Sequence, residues 1–146
     1  MKNIFKTLAL TTMMALSSCS GSKMSLYLNS EPVAWDKVSI KISKVYEMTS
    51  LYRETDVTIS FISSDPKPVT LKFKDWKVYR EKDKAEYSAG CLTAAIYGEI
   101  TLNCDIEKTL TFEVELPTST KEERYKLVIN FTNKSLICYL YDKPSE

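Results

Sequence analysis

The feature that most constrains this chain is a period of two in its apolar residues, repeated along most of its length. Leu110, Phe112, Val114 and Leu116 alternate with Thr109, Thr111, Glu113 and Glu115. Tyr125, Leu127, Ile129 and Phe131 alternate with Lys126, Val128 and Asn130. The same beat runs through Met24, Leu26 and Leu28, through Val38, Ile40 and Ile42, and through Val57, Ile59 and Phe61. Val69, Leu71 and Phe73, then Trp76 and Val78, then Leu136, Cys138 and Leu140 complete the series. Successive side chains of a strand point to opposite faces, so each segment predicts a half-buried strand. The β-branched and aromatic content agrees. No window offers a long amphipathic helix. Many such strands bury their apolar faces by packing two antiparallel sheets together, so the expected fold is an all-β sandwich of about 7–9 strands.

The phase of the beat changes once in a telling place. Val69, Leu71 and Phe73 are odd-numbered, whereas Trp76 and Val78 are even-numbered. One strand keeps both sets inside only if a residue is looped out, so a bulge or break is expected near Lys74-Asp75. Turns are built with little glycine. Ser63-Ser64-Asp65-Pro66-Lys67-Pro68 joins two strands, Pro117 ends another, and Ser119 to Glu123 predicts one helical turn. The mixed charge run from Arg80 to Glu86 reads as a solvated loop or edge.

The first residues do not follow the beat. Lys2 and Lys6 precede a short, mostly apolar run from Thr7 to Leu16, then the small Ser17 and Ser18. That order of charge, apolar segment and small residues is the one a signal peptide needs, and it predicts one here. The run is too short to span a bilayer, which takes ~20 apolar residues. Leu16-Ser17-Ser18-Cys19 resembles the lipobox of bacterial lipoproteins. The resemblance implies cleavage between Ser18 and Cys19 and a fatty-acyl anchor, palmitate included, on Cys19. An ordinary secretory signal is the alternative. Ser20 in place of Asp implies outer-membrane sorting in a Gram-negative envelope, or the outer face of the cell membrane in a Gram-positive one. The expected organisation is a leader over 1–18, a lipidated cysteine and tether over 19–23, and one domain over 24–146.

Cleavage at Cys19 leaves 128 of 146 residues, enough for one domain with a real core. Lys2 and Lys6 go with the leader, so 18 basic residues face 19 acidic ones. That balance gives no reason to expect nucleic acid. The chain has no histidine, the commonest general base and zinc ligand. Its three glycines, Gly21, Gly90 and Gly98, do not build a phosphate loop. No catalytic set, metal site, cofactor or small-molecule substrate is therefore expected.

Besides Cys19, Cys91, Cys104 and Cys138 remain. In an exported protein this predicts one pair and one spare thiol. If Tyr97-Gly98 forms a two-residue hairpin turn, Cys91 falls directly opposite Cys104, within disulfide reach. Such a link would contribute about 3 kcal/mol. Cys104–Cys138, Cys91–Cys138 and no disulfide are the alternatives. No CxxC spacing points to redox or metal chemistry.

Trp35 and Trp76 adjoin apolar strands and are expected in the core. Tyrosine is rigid and amphipathic, so exposed tyrosines suit a protein-binding surface. Tyr46, Tyr52, Tyr79, Tyr87, Tyr97, Tyr139 and Tyr141 form the group, with Tyr79, Tyr87 and Tyr97 as the candidates. The competing reading is a tyrosine-rich sandwich whose rings only pack. Asp105 and Glu107, near Glu99 across a turn, could hold calcium, although exposed turn acids explain them as well.

From about Lys37 to Phe131 the order of features is similar to bacterial Ig-like lipoprotein domains related to immunoprotective extracellular antigens. A strand like Val38–Ile42 comes first. A strand, polar turn and proline segment follows, here Thr55 through Ile59 and Asp65-Pro66 to Leu71. Phe73 to Tyr79, Tyr87, Thr109–Leu116 and Tyr125-Lys126-Leu127-Val128 complete the match. Asp105-Ile106-Glu107-Lys108 stands where that family has a glycine. The resemblance implies an Ig-like sandwich and brings no catalytic residue. A second likeness, through Val38 to Tyr46, is to outer-membrane lipoproteins of type VI secretion, which act as docking pieces. The function expected is that of a non-catalytic binding module. Its partners would be the membrane, through Cys19, and an envelope or extracellular protein. A small envelope enzyme is the third reading.

Overall fold

The structure is a computed structural model that describes residues 22–49, 53–91, 98–116 and 123–145. Ser18, Cys19, Tyr52, Tyr97, Pro117 and the turn expected from Ser119 lie outside the described residues. Eleven strands are described: β1 (Ser22–Leu26), β2 (Val33–Trp35), β3 (Val38–Thr49), β4 (Arg53–Ser63), β5 (Val69–Arg80), β6 (Glu86–Tyr87), β7 (Ala89–Cys91), β8 (Glu99–Leu102), β9 (Lys108–Leu116), β10 (Tyr125–Phe131) and β11 (Lys134–Tyr139). The surplus over the expected number consists of segments of two to four residues at sheet edges, β2, β6, β7 and β8. Short edge strands limit unwanted pairing with other chains.

The strands form two sheets. One runs β2-β3-β4-β9-β7. The other runs β1-β11-β10-β5-β6, with β8 also on β5. The run β3-β4-β9-β7 reproduces the A-B-E-D order of an immunoglobulin sheet, and β11-β10-β5 reproduces G-F-C. β1 is the exception to antiparallel pairing. It lies parallel to β11, with Leu26 opposite Cys138.

The alternation places the core as expected. Leu110, Phe112, Val114 and Leu116 of β9 are buried, and so are Tyr125, Leu127, Ile129 and Phe131 of β10. They meet Val57, Ile59 and Phe61 of β4 and Val78 of β5 in one cluster. Each large aliphatic side chain removed from water there contributes about 1.5–3 kcal/mol. Both tryptophans pack. Trp35 meets the Phe131 ring edge-on at 4.8 Å, and Trp76 meets Phe112 at 5.6 Å.

The phase change in β5 is resolved by a bulge. Asn130 pairs with Asp75, but Phe131 pairs with Phe73, so Lys74 is looped out and both apolar sets face the core. A second bulge sits in β3, where Ile42 pairs with Ile59 and Lys44 with Thr58. The looped-out Ser43 donates its hydroxyl to the Thr58 carbonyl at 3.2 Å.

The cysteine hairpin is a correction. Cys91 on β7 pairs with Phe112 on β9, whereas β8 pairs with β5 from Val69↔Leu102 to Lys72↔Glu99. Cys91 and the strand leading to Cys104 thus belong to different sheets. Cys104 bridges instead to Ser63. Among the described residues no disulfide is formed. Burial decides this pairing. Ile100 and Leu102 enter the core beside Leu71, which a two-stranded hairpin would not provide. Gly98, at φ 74°, positions its carbonyl to accept the Phe73 amide at 2.7 Å and so starts the β5–β8 ladder.

Candidate functional site

The outer face of the β1-β11-β10-β5-β6 sheet carries the candidate site. Inward residues form the row Leu26, Cys138, Leu127, Val78 and Tyr87, by direct register. The next row points outward. In it Tyr139 pairs with Lys126, Lys126 with Tyr79, and Tyr79 with Glu86. Cross-strand neighbours on one face lie side by side, so Lys126 is flanked by two tyrosines. A depression of about 490 Å³ opens over this face, lined by Lys23, Tyr79, Lys84, Glu86, Lys126, Val128, Asn130, Ser135 and Ile137.

The polar floor is internally satisfied. Ser135 donates to Asn130 Oδ1 at 2.7 Å, and Asn130 Nδ2 donates to Asp75 at 2.6 Å. Lys77 pairs with Glu86 at 3.2 Å, and that hydrogen bond raises the lysine's pKa. Lys23, Lys84 and Lys126 carry no ion pair among the described residues. The face therefore presents unpaired positive charge beside tyrosine rings, on a rigid sheet.

The register separates the tyrosine candidates. Tyr79 lies on this face, half-buried. Tyr87 pairs with buried Val78 and faces inward, with its ring edge-on to Tyr125 at 5.8 Å and the Arg80 guanidinium 5.9 Å from its centre. Tyr87 is therefore a packing residue, and the two do not form one patch. Strand alternation makes the division: Val78 and Tyr79 are neighbours in sequence, so their partners Tyr87 and Glu86 face opposite ways.

Tyr139 and Tyr141 of the tyrosine group come together with Tyr27, which the sequence did not single out. Tyr27 stacks on Tyr139 at 4.6 Å with planes 15° apart, and Tyr141 sits edge-on to both. Arg124 lies over the Tyr141 ring at 4.9 Å. The parallel β1–β11 pairing brings Tyr27 to Tyr139, and a long-range pairing of that kind leaves no local sequence signal.

The turn joining β5 to β6 is tied by charge. Arg80 holds Asp83 at 2.6 Å and reaches Glu123 at 3.4 Å, while Lys82 meets Glu123 at 3.3 Å. The Arg80 hydrogen bond pulls Asp83 down to about 2. Tyr125 donates its hydroxyl to Glu123 at 2.8 Å, the largest cause of that carboxyl's lowered pKa. The two acids weighed as calcium ligands serve the local structure. Glu107 accepts the Ser60 hydroxyl at 2.7 Å, and Asp105 occupies a left-handed turn at φ 59°.

No family model matches the chain, and no curated protein matches it in sequence. Solved structures do match in shape. The yjhA protein of Bacillus subtilis is 12% identical, with a TM-score of 0.53 over 79% of this chain and 98% of its own. A candidate lipoprotein of Bacillus subtilis, ycdA, is 15% identical, with a TM-score of 0.53 over 80% of this chain. This chain spans only 40% of ycdA. A β-sandwich protein of Clostridium difficile is 12% identical, with a TM-score of 0.49 over 81% of this chain and 95% of its own. At such identities the likeness concerns the fold, and the fold it supports is the two-sheet β-sandwich.

Proposed function

We propose that this protein is a lipid-anchored envelope module that binds a protein partner without catalysis, through the outer face of the β1-β11-β10-β5-β6 sheet. The observation that carries the reading is the outward row Tyr139, Lys126 and Tyr79, flanked by the unpaired Lys23 and Lys84. Tyrosines give large contact area at low entropic cost, and the lysines select an acidic partner and speed its approach. The Leu16-Ser17-Ser18-Cys19 motif supports attachment to the envelope, at the outer membrane if the cell is Gram-negative. The absence of histidine supports a non-catalytic role. The strand order is that of an Ig-like sandwich, the fold that the likeness to Ig-like antigen domains implies.

The test is photo-crosslinking from the intact envelope with a reactive analogue in place of Tyr79, followed by mass spectrometry. A specific partner should be captured, and Lys126→Glu should abolish its capture while the domain stays folded. Recovery of secretion-apparatus proteins would move the reading to a docking piece of type VI secretion. Capture that ignores Lys126→Glu would remove this face from consideration.

A further inference from the structure

We infer that one end of the sandwich rests on the lipid surface itself, with Ile106 inserted at the headgroup boundary. This rests on the lipid-anchored reading and specifies how the domain sits once anchored.

Four loops converge at the end where β1 begins. The Ser22 amide reaches the Asn133 carbonyl at 3.4 Å, and Lys134 beside it pairs with Asp36 at 3.1 Å. From the Asp36 turn, the Lys37 carbonyl accepts the Ser64 amide at 2.9 Å. The Ser63 carbonyl accepts the Asp105 amide at 2.7 Å, which leads directly to Ile106. Ser22 and Ile106 thus belong to the same end of the molecule.

Two observations make a bilayer the occupant. Cys19 precedes Ser22 by three residues, a span of at most about 10 Å when fully extended. A lipid on Cys19 therefore holds this end within that distance of the membrane, which is about the depth of a headgroup layer. The second observation is apolar exposure. Among the described residues the exposed large hydrophobics are Ile106, at 62%, and Ile62, at 36%. Both adjoin the Ser63–Asp105 contact: Ile62 alternates with the buried Phe61 and Ser63 and so faces out, and Ile106 follows Asp105 in its turn. A solitary apolar side chain in water is ordinary, but both lie where the tether puts lipid. The charges carried by the loops of this end and the residues beside them are mixed: Lys37, Lys67, Lys108 and Lys134 against Asp36, Asp65, Asp105 and Glu107. Contact should therefore depend little on anionic lipid or on salt.

The test uses the acylated full protein in vesicles of phosphatidylethanolamine and phosphatidylglycerol with brominated acyl chains. Ile106→Trp is compared with Lys82→Trp, at the opposite end, each measured as a difference from the parent protein. The added emission at position 106 should fall roughly twofold, in low and high salt, and that at position 82 should not change. Amide exchange of the unaltered chain over 103–107 should also slow on vesicles relative to unacylated protein produced without residues 1–19. Unquenched emission at 106 and unchanged exchange, in protein that floats with the vesicles, would overturn the inference and leave the anchor standing. An unacylated Cys19 by mass spectrometry would overturn both.

Discussion

Trp76 on β5 donates its indole N–H to the Ala89 carbonyl on β7 at 2.7 Å, so a single side chain ties the two sheets together. β5 belongs to one sheet and β7 to the other. The same ring packs edge-on against Phe112. Trp76→Phe keeps most of the packing and removes the donor. It should cost about 1–3 kcal/mol, read as a lower urea midpoint with unchanged slope.

Lys74 matters for its backbone and not for its side chain. It is exposed and looped out between the Phe73 and Asp75 pairs. Lys74→Ala should change stability by less than about 0.5 kcal/mol. Deleting the residue should prevent folding, because Trp76 and Val78 or Leu71 and Phe73 would then turn to water. Circular dichroism of both variants separates the two effects.

Cys138 is fully buried between Leu26 and Leu127, and burial pushes its thiol well above the usual range. It should resist alkylation in the native protein and react only after unfolding. Cys138→Ser would bury a hydroxyl in the same site and should cost about 1–3 kcal/mol by thermal melting. Rapid labelling of Cys138 in the folded protein would contradict the placement of β11 between β1 and β10.

Acid should loosen the charged turn. Asp83 is lowered to about 2 and Glu123 is lowered as well, so their contribution is complete above the ordinary carboxylate range near pH 4. It is lost as pH falls from about 4 toward about 2. Arg80→Met should flatten that part of the stability profile, measured by denaturant melts at several pH values.

Alkali acts with the opposite sign through the tyrosines. Burial pushes Tyr125 up to about 12 and also raises Tyr141. The unfolded chain ionises near pH 10, so stability is full below that pH and declines between about 10 and 12. Tyr125→Phe should reduce this loss, at a cost of about 1 kcal/mol near neutrality for the bond to Glu123.

The strand content and the Lys74 bulge were legible because the period of two records which side of each strand meets the core. The β3 bulge leaves the same kind of trace, since Val38, Ile40 and Ile42 give way to Val45, but a single residue carries it and the phase change is easily missed. Pairing was less legible. A plausible local hairpin put Cys91 opposite Cys104, but β8 gains more by burying Ile100 and Leu102 against β5. Of the site, Tyr79 was legible in the sequence. Tyr139 was singled out as well, but its place in one row with Lys126 and Tyr79 was not legible, because only long-range register brings the three together.

The parallel seam between β1 and β11 also has a mechanical meaning. Five residues of β1, Ser22 to Leu26, lie in register with Lys134 to Cys138. Tension entering the domain at Ser22 along the strand loads these rungs together, in shear, instead of peeling them one by one. Leu26 sits at the far end of the seam with its side chain wholly inside the core, like a knot behind a hem. A pull applied at Ser22 is thus spread across the seam before it reaches the packed interior.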